Sequence, residues 1–286
     1  MPMKRGAAQP LFGDRRNALP GTEPVVLALT SIVAAAGAAV ADTISLAANP
    51  QDGFASFRSS KRDQRSWLQR LFDSLQTSGY AGLTPAFGAA PTGRTLTIVI
   101  PCRERSEPYV TLASLARQTF RDFDVIVSPD RGRGANWARN RGFRLVRTPF
   151  VLFSDDDVEW YPTAIAQMKA ALDARPEASY AYGSYFIPGV AIRGNVAFDA
   201  VRLRRMNYIS TMSMVRTADF SGFDESIRRL QDWDVWLTML KDGKTGVHCG
   251  SYIFQTKMRR GITYGHDLSW EEATRIVRRK HGLPPV

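Results

Sequence analysis

The sequence has little cysteine and little histidine, two of the first and three of the second in 286 residues. Cys102 and Cys249 lie far apart and form no CxxC pair. Neither a disulfide framework nor a zinc site is therefore indicated, and a reducing compartment fits best. Long uncharged stretches are also in short supply. The run from Val25 to Ala41 has seventeen residues without a charge, the lower limit for crossing a bilayer, and its alanines with Thr30, Ser31 and Gly37 weaken it further. A buried or helix-packing segment is the favoured reading over a membrane span. The lead in front of it, residues 1–24, is rich in proline and reads as a loose arm. It is unlike the compact basic start of a signal peptide, so no cleavage is expected.

What the chain does have is enough apolar material, 44%, for one good core and a small accessory region. It also has a formal charge of +11 and a pI near 10.0. Such a balance points to an anionic partner: nucleic acid, an acidic membrane surface or a phosphorylated substrate. The excess is spread rather than confined to a tail, with nine basic and six acidic residues in 1–93, 22 and 18 in 94–256, and seven and three in 257–286. A basic stripe carrying base-stacking aromatics is missing, which disfavours a dedicated nucleic-acid binder, and no nucleic acid is expected as a partner.

Residues 62–78 place Trp67, Leu68, Leu71, Phe72 and Leu75 at helical spacing with Arg62, Arg65 and Arg70 elsewhere on the wheel. Such a helix packs on a neighbouring domain or lies on a membrane surface. Residues 79–94, rich in Gly, Ala and Pro, read as a linker. From 95 onward the pattern alternates: strand Leu96–Ile100 ended by Pro101, helix Pro108–Gln118, strand Phe123–Val127, helix Ala135–Leu145, strand Phe150–Phe153. That alternation implies a doubly wound α/β sheet, whose ligands bind beyond the carboxyl ends of the strands.

Three carboxylates, Asp155, Asp156 and Asp157, directly follow the last of these strands. An extended backbone there would turn Asp155 and Asp157 to the same side. Hard divalent cations take such oxygen ligands beside substrate phosphates; the competing reading is a solvated turn that caps a helix beginning near Pro162. In Leu230-Gln-Asp-Trp-Asp-Val-Trp-Leu237, Leu230, Trp233, Leu237 and Leu240 define an apolar helix face. Asp232 and Asp234 then fall in the first turn, where an anion suits the helix dipole, so capping and general-base catalysis are both open. The stretch Arg131–Arg147 holds six arginines and no acid. Beside a diphosphate, Arg133 and Arg139 are the candidates for charge-assisted bonds. His266, in Tyr-Gly-His-Asp, is a lone candidate metal ligand.

In order and spacing, Leu96-Thr-Ile-Val-Ile-Pro101, Leu112 to Phe120, Asp122 to Val127, Ala138-Arg-Asn-Arg-Gly142, Phe150 to Asp157, Gly222-Phe-Asp-Glu-Ser226 and Leu230 to Leu237 resemble family 2 glycosyltransferases over roughly residues 95–265. The resemblance implies a GT-A fold, Rossmann-like with a doubly wound mixed sheet, over 94–265. A mainly helical N-terminal extension over 1–93 and a helical tail over 266–286 would flank it. It implies an inverting enzyme that moves a sugar from a nucleotide donor to a glycan, lipid-linked or protein acceptor, with Mg2+ or Mn2+. Donor contacts would fall on Pro101, Arg103, Asp130, Arg133, Arg139, Asp155 and Asp156. The metal would rest on Asp155, Asp157 and His266, the base would be Asp232, and the acceptor side would hold Gln231, Trp233 and Asp234. Four positions depart from the family pattern. Pro129-Asp130 replaces two adjacent aspartates, so the base contact is lost or passes to Asp130. Arg103 and Glu104 replace an aromatic and Asn, and Gln231 replaces Glu. A cytoplasmic protein is the expected setting, with peripheral membrane contact through residues 25–78 left open beside packing. The other readings are a catalytically silent GT-A-like domain in a larger assembly and, less favoured, a basic nucleic-acid binder.

Overall fold

The computed structural model describes residues 25–29, 83–86, 93–103, 108–256 and 268–285. Its centre is a run of strands built from apolar and β-branched residues: β3 (Leu96–Cys102), β4 (Phe123–Pro129) and β5 (Phe150–Phe153), in which every residue is buried. Burial on both faces is what a parallel sheet between helical layers requires. β3 pairs in parallel with β4 on one side and β5 on the other, in the register Leu96↔Phe123 and Leu96↔Phe150.

The chain continues through β6 (Val158–Trp160), β7 (Tyr180–Ile187), β8 (Ala191–Arg193), β9 (Met214–Arg216) and β10 (Gly246–Thr256). With β1 (Val25–Leu29) and β2 (Leu83–Ala86), the sheet runs β2-β1-β4-β3-β5-β9-β7-β10-β6, and β8 pairs with β7 off this path. Strand β9 is antiparallel to both β5 and β7, so β7 again points with β3, β4 and β5, and β10 follows it in parallel. The result is the mixed α/β sheet that the sequence pattern implies.

Alternation along the strands divides the core into two layers. Ile98, Ile100, Val125 and Leu152 belong to one, with Leu112 and Leu115 of α1 (Tyr109–Ala116) and Ile165, Met168 and Leu172 of α3 (Ala164–Ala174). Val99, Ile126, Val151 and Phe153 belong to the other, with Trp233, Trp236 and Leu237 of α5 (Gln231–Lys241) and Ala273 and Val277 of α6 (Trp270–Lys280). The Val, Leu, Ile, Phe and Met side chains among these each contribute about 1.5–3 kcal/mol when fully buried.

Two expectations about the strands are corrected. β3 does not end at Pro101 but runs to Cys102, because beyond Val99 it has a partner only in β4, so the N–H that proline lacks is not needed on the β5 side. The apolar run from Val25, expected as a buried or helix-packing segment, begins as a strand. It lies antiparallel to β4, from Val25↔Val127 to Ala28↔Asp124. An open edge at β4 offers unpaired backbone groups, which this valine-led segment pairs. The described residues of 1–93 are the strands Val25–Leu29 and Leu83–Ala86 and the turn residue Gly93, and the amphipathic helix expected over 62–78 lies outside the described residues. No helix among the described residues is long and apolar enough to cross a membrane.

Helix α2 (Ala135–Phe143) packs closely on β3 and β4 through Gly142. A Cβ placed there would lie 2.5 Å from Cγ1 of Val99. Gly142→Ala should therefore lower stability by about 1–3 kcal/mol through overpacking, despite the gain in helix propensity. Denaturant unfolding checks this, and an unchanged midpoint would show that the helix can shift at no cost.

Candidate active site

The carboxyl ends of β3, β4, β5 and β7 share one edge of the sheet, where an α/β fold binds ligands. Beyond Phe153, the N–H of Ser154 still donates to the Val99 carbonyl at 3.0 Å. The chain then turns at Asp156 and Asp157 before entering β6. The extended backbone expected through Asp157 is thus absent, and strand alternation does not set the directions of these carboxylates. The turn is clamped instead. The Thr111 hydroxyl lies 3.0 Å from the Asp155 carbonyl and 2.9 Å from the Val158 carbonyl, and accepts the Val158 N–H at 3.1 Å. The Trp160 indole N–H donates to the Ser154 hydroxyl at 2.9 Å.

A second group of polar residues arrives from α5. Its N-terminal neighbour Leu230 has φ 61°, a left-handed conformation that is strained for a branched side chain. The carboxylate of Asp232 accepts the Trp233 N–H at 2.9 Å and is also hydrogen-bonded by the Asn207 side chain. Burial raises its pKa above the ordinary carboxylate value, against the opposing pull of those hydrogen bonds and of Arg139. Helix entry and a perturbed acid thus coexist in one residue. Trp233 and Asp234, expected on the acceptor side, face elsewhere. The Trp233 indole donates to the Leu203 carbonyl at 2.6 Å. Asp234 is buried against α6, with Lys280 Nζ 2.9 Å from one carboxylate oxygen and His281 Nε2 2.8 Å from the other.

Arg139 joins the two groups. Its buried guanidinium donates to Asp155 Oδ1 at 2.8 Å, to the Gln231 side-chain oxygen at 3.2 Å and to Asn136 Oδ1 at 3.1 Å, and lies over the Phe223 ring. Asn136 in turn donates to the carbonyls of Asp224 and Ile227, and Asn140 to that of Phe223. Helix α2 therefore pins the loop that delivers Gln231 and Asp232 to the strand-end carboxylates.

Residues 127–197 match glycosyl transferase family 2. The family 2 segment includes the end of β4, Arg139 and the Asp155–Asp157 turn, and stops short of Asp232. The fold resembles two crystal structures of residues 1–349 of S. aureus TarS. One, in complex with UDP-GlcNAc, has a TM-score of 0.55 and 16% identity, with 65% of this chain and 66% of that one covered. The other, with UDP, has a TM-score of 0.51 and 17% identity, covering 65% of each chain. This chain therefore spans just under two thirds of either TarS chain, and at such identities the likeness establishes the GT-A-like fold. No curated protein matches in sequence.

Within the family 2 segment, the Asp130 carboxylate accepts the Gly132 N–H at 3.0 Å in a turn directly after β4. Arg133 is exposed and lies over the Trp137 ring, 4.8 Å from its centroid. Arg139, expected to meet a diphosphate directly, is committed to Asp155 and Gln231. Outside the segment, Pro101 is buried in β3, Arg103 is exposed just beyond it, and His266 lies outside the described residues. Among the described residues no three His, Cys, Asp or Glu side chains form a ready metal cluster. The donor chemistry nonetheless fits a hard cation, because the strand-end carboxylates are oxygen ligands and Arg139 engages only one oxygen of Asp155.

Sequence reasoning missed Thr111, Asn136 and Asn207, whose partners are remote in sequence. It also missed Tyr185, whose hydroxyl is pushed up to about 12 by burial and by the carboxylates of Asp232 and Asp155. No short-range pattern singles it out, because burial along β7 runs unbroken from Tyr180 to Ser184 and Tyr185 begins its half-buried end.

Replacing Arg139 by Lys should cost about 1–3 kcal/mol, since an ammonium cannot serve three acceptors in a planar fork. Urea unfolding measures it, and a wild-type value would remove Arg139 as the joining element. The raised pKa of Asp232 has a further consequence. A group favoured in its protonated form by the fold contributes stability below its unfolded pKa and loses that contribution as pH rises through the folded one. Asp232→Asn should therefore raise the melting temperature at pH 7 and flatten this part of the pH dependence, as followed by thermal scans.

Proposed function

We propose that the chain is an inverting glycosyltransferase that moves a sugar from a nucleotide-diphosphate donor to an acceptor hydroxyl. The observation that supports it most is the Arg139 bridge, which sets a strand-end carboxylate turn beside a half-buried acid of raised pKa. The match to glycosyl transferase family 2 over 127–197, and the likeness to TarS in complexes with UDP-GlcNAc and UDP, supply the reaction class. A uridine nucleotide is accordingly the first donor to test.

In this reading the diphosphate lies at the carboxyl ends of β3, β4 and β5. Asp130 and Arg103 face the nucleoside side, and Asp155 and Asp156 face the sugar diphosphate. Mg2+ or Mn2+ would be held by Asp155 and Asp157, with His266 as a further ligand, and would supply charge neutralisation on the departing diphosphate. Asp232 takes the proton from the acceptor hydroxyl as its oxygen attacks the anomeric carbon and the bond to the diphosphate breaks. Attack opposite the leaving group inverts the configuration. A carboxylate whose pKa is raised by burial is a stronger base than a solvated one, which suits this role. Gln231 keeps Arg139 on Asp155, so the acid side and the donor side move as one unit. The acceptor is a hydroxyl of a glycan, lipid-linked or protein substrate.

Calorimetry with UDP, GDP and dTDP, each with and without Mn2+, tests the donor site. One nucleotide should bind in a metal-dependent manner, and Asp157→Ala should abolish that dependence. Asp232→Asn should keep nucleotide binding and lose transfer by about 10²–10⁴-fold. Rate against pH should show an acid limb above the usual carboxylate range, because the base works only when ionised. Nucleotide binding with no turnover for any donor would favour a catalytically silent GT-A-like domain, which the exchange of an aspartate for Pro129 motivates.

A further inference from the structure

Helix α4 (Ala200–Arg205) packs on α5, and the stretch after it, residues 206–210, has no regular secondary structure. Two indoles of α5 nevertheless fasten it on both sides. The Trp233 ring N–H donates to the Leu203 carbonyl at 2.6 Å, and the Trp236 ring N–H to the Ile209 carbonyl at 3.0 Å. Both rings, with Leu203 and Ile209, are buried, so water does not compete for these bonds. Phenylalanine would fill such space without bringing a donor. Between the two fastenings lies Asn207, half-buried. Its side-chain oxygen accepts the Ile209 N–H at 3.3 Å, which turns the amide nitrogen the other way. The same side chain hydrogen-bonds Asp232, and because an ionised carboxylate only accepts, the nitrogen is the donor.

We propose that Asn207 is the positioning residue of the catalytic base: its amide donates to the Asp232 carboxylate, fixes the plane of that group and favours its ionised form. The inference rests on the reading of Asp232 as the base. The backbone N–H groups of Trp233 and of Asp232 itself also bond this carboxylate. A carboxylate offers about four acceptor positions, so these donors leave room for the proton of the acceptor hydroxyl. The charged and titratable groups that face it are Arg139 of α2, which favours the ionised form, and Tyr185 of β7, whose hydroxyl stays neutral. Asn207 brings its donor from outside α5, on a segment that the tryptophans of the same helix hold in place. A turn at Ile209 would by itself account for the Asn207 oxygen, and Asp would serve it equally well. It leaves the nitrogen without a task.

Carbon-13 NMR of the full chain, labelled at the aspartate side-chain carboxyls, follows the titration of Asp232, identified by the resonance lost in Asp232→Asn. Asn207→Ala removes the donor. Asn207→Asp keeps an oxygen for the Ile209 N–H and sets a like charge against Asp232. Losing a bond to the ionised form, or adding a like charge, favours the protonated acid. The proton affinity of Asp232 should therefore rise about tenfold in Asn207→Ala, and further in Asn207→Asp. Thermal scans show whether each variant is folded, and where one is not, the other decides. A midpoint that stays or falls in a folded variant would overturn the proposal, and in Asn207→Asp it would leave Asn207 as a turn residue alone. The titration needs neither donor nor acceptor, so its failure leaves the glycosyltransferase reading intact. Undiminished transfer by Asp232→Asn, with the titration shift present, would instead remove the base and with it the role of Asn207.

Discussion

The candidate site depends on one buried cation. Arg139 is the only described side chain that bonds both the strand-end turn, through Asp155, and the start of α5, through Gln231. These two parts of the site come from distant stretches of sequence, one from the end of β5 and the other from the start of α5. Nothing in the local preferences of either stretch would hold them at a fixed separation. A guanidinium can do so because its donors form a rigid planar fork, and because burial strengthens each bond relative to water. The arrangement also limits what Arg139 can do: occupied by protein acceptors, it is a poor candidate for direct contact with a diphosphate.

Around this pair of contacts the rest of the fold acts as support. Thr111 fixes the carbonyls on both sides of the carboxylate turn, and Asn136 and Asn140 fix the loop before α5. Leu230 absorbs the sharp change of direction into that helix through its positive φ. Strain of this kind persists only where surrounding contacts over-determine it, and here the buried Leu230 side chain and the pinned loop provide them. The aspartates of α5 then diverge. Asp232 stays at the start of the helix, bonded by the Trp233 N–H, while Asp234 anchors α6 through Lys280 and His281, so two acids of one short motif meet different partners.

The strong positive charge divides in a similar way. Arg139 is spent inside the protein, Arg94 and Arg117 pair with nearby acids, and Arg216 serves backbone carbonyls. Arg202, Arg204, Arg205, Arg275 and Arg279 stay exposed.

By itself the sequence determined the alternation of strands and helices from 95 onward, the buried character of β3, β4 and β5, and the placement of three acids at the end of β5. These follow from short-range patterns: apolar runs bounded by turns, helical spacing, and acids placed directly after a buried strand. Only the tertiary structure decided the strand at Val25–Leu29, the turn at Asp156–Asp157, the outward turn of Trp233 and Asp234 from the site, and the inward role of Arg139. Each depends on a partner far along the chain, such as an open sheet edge, a threonine on a preceding helix or a lysine on the last one. Local periodicity reports which face of an element is apolar. It does not report which distant donor or acceptor meets the polar groups on that face, and in this protein those long-range pairings define the site.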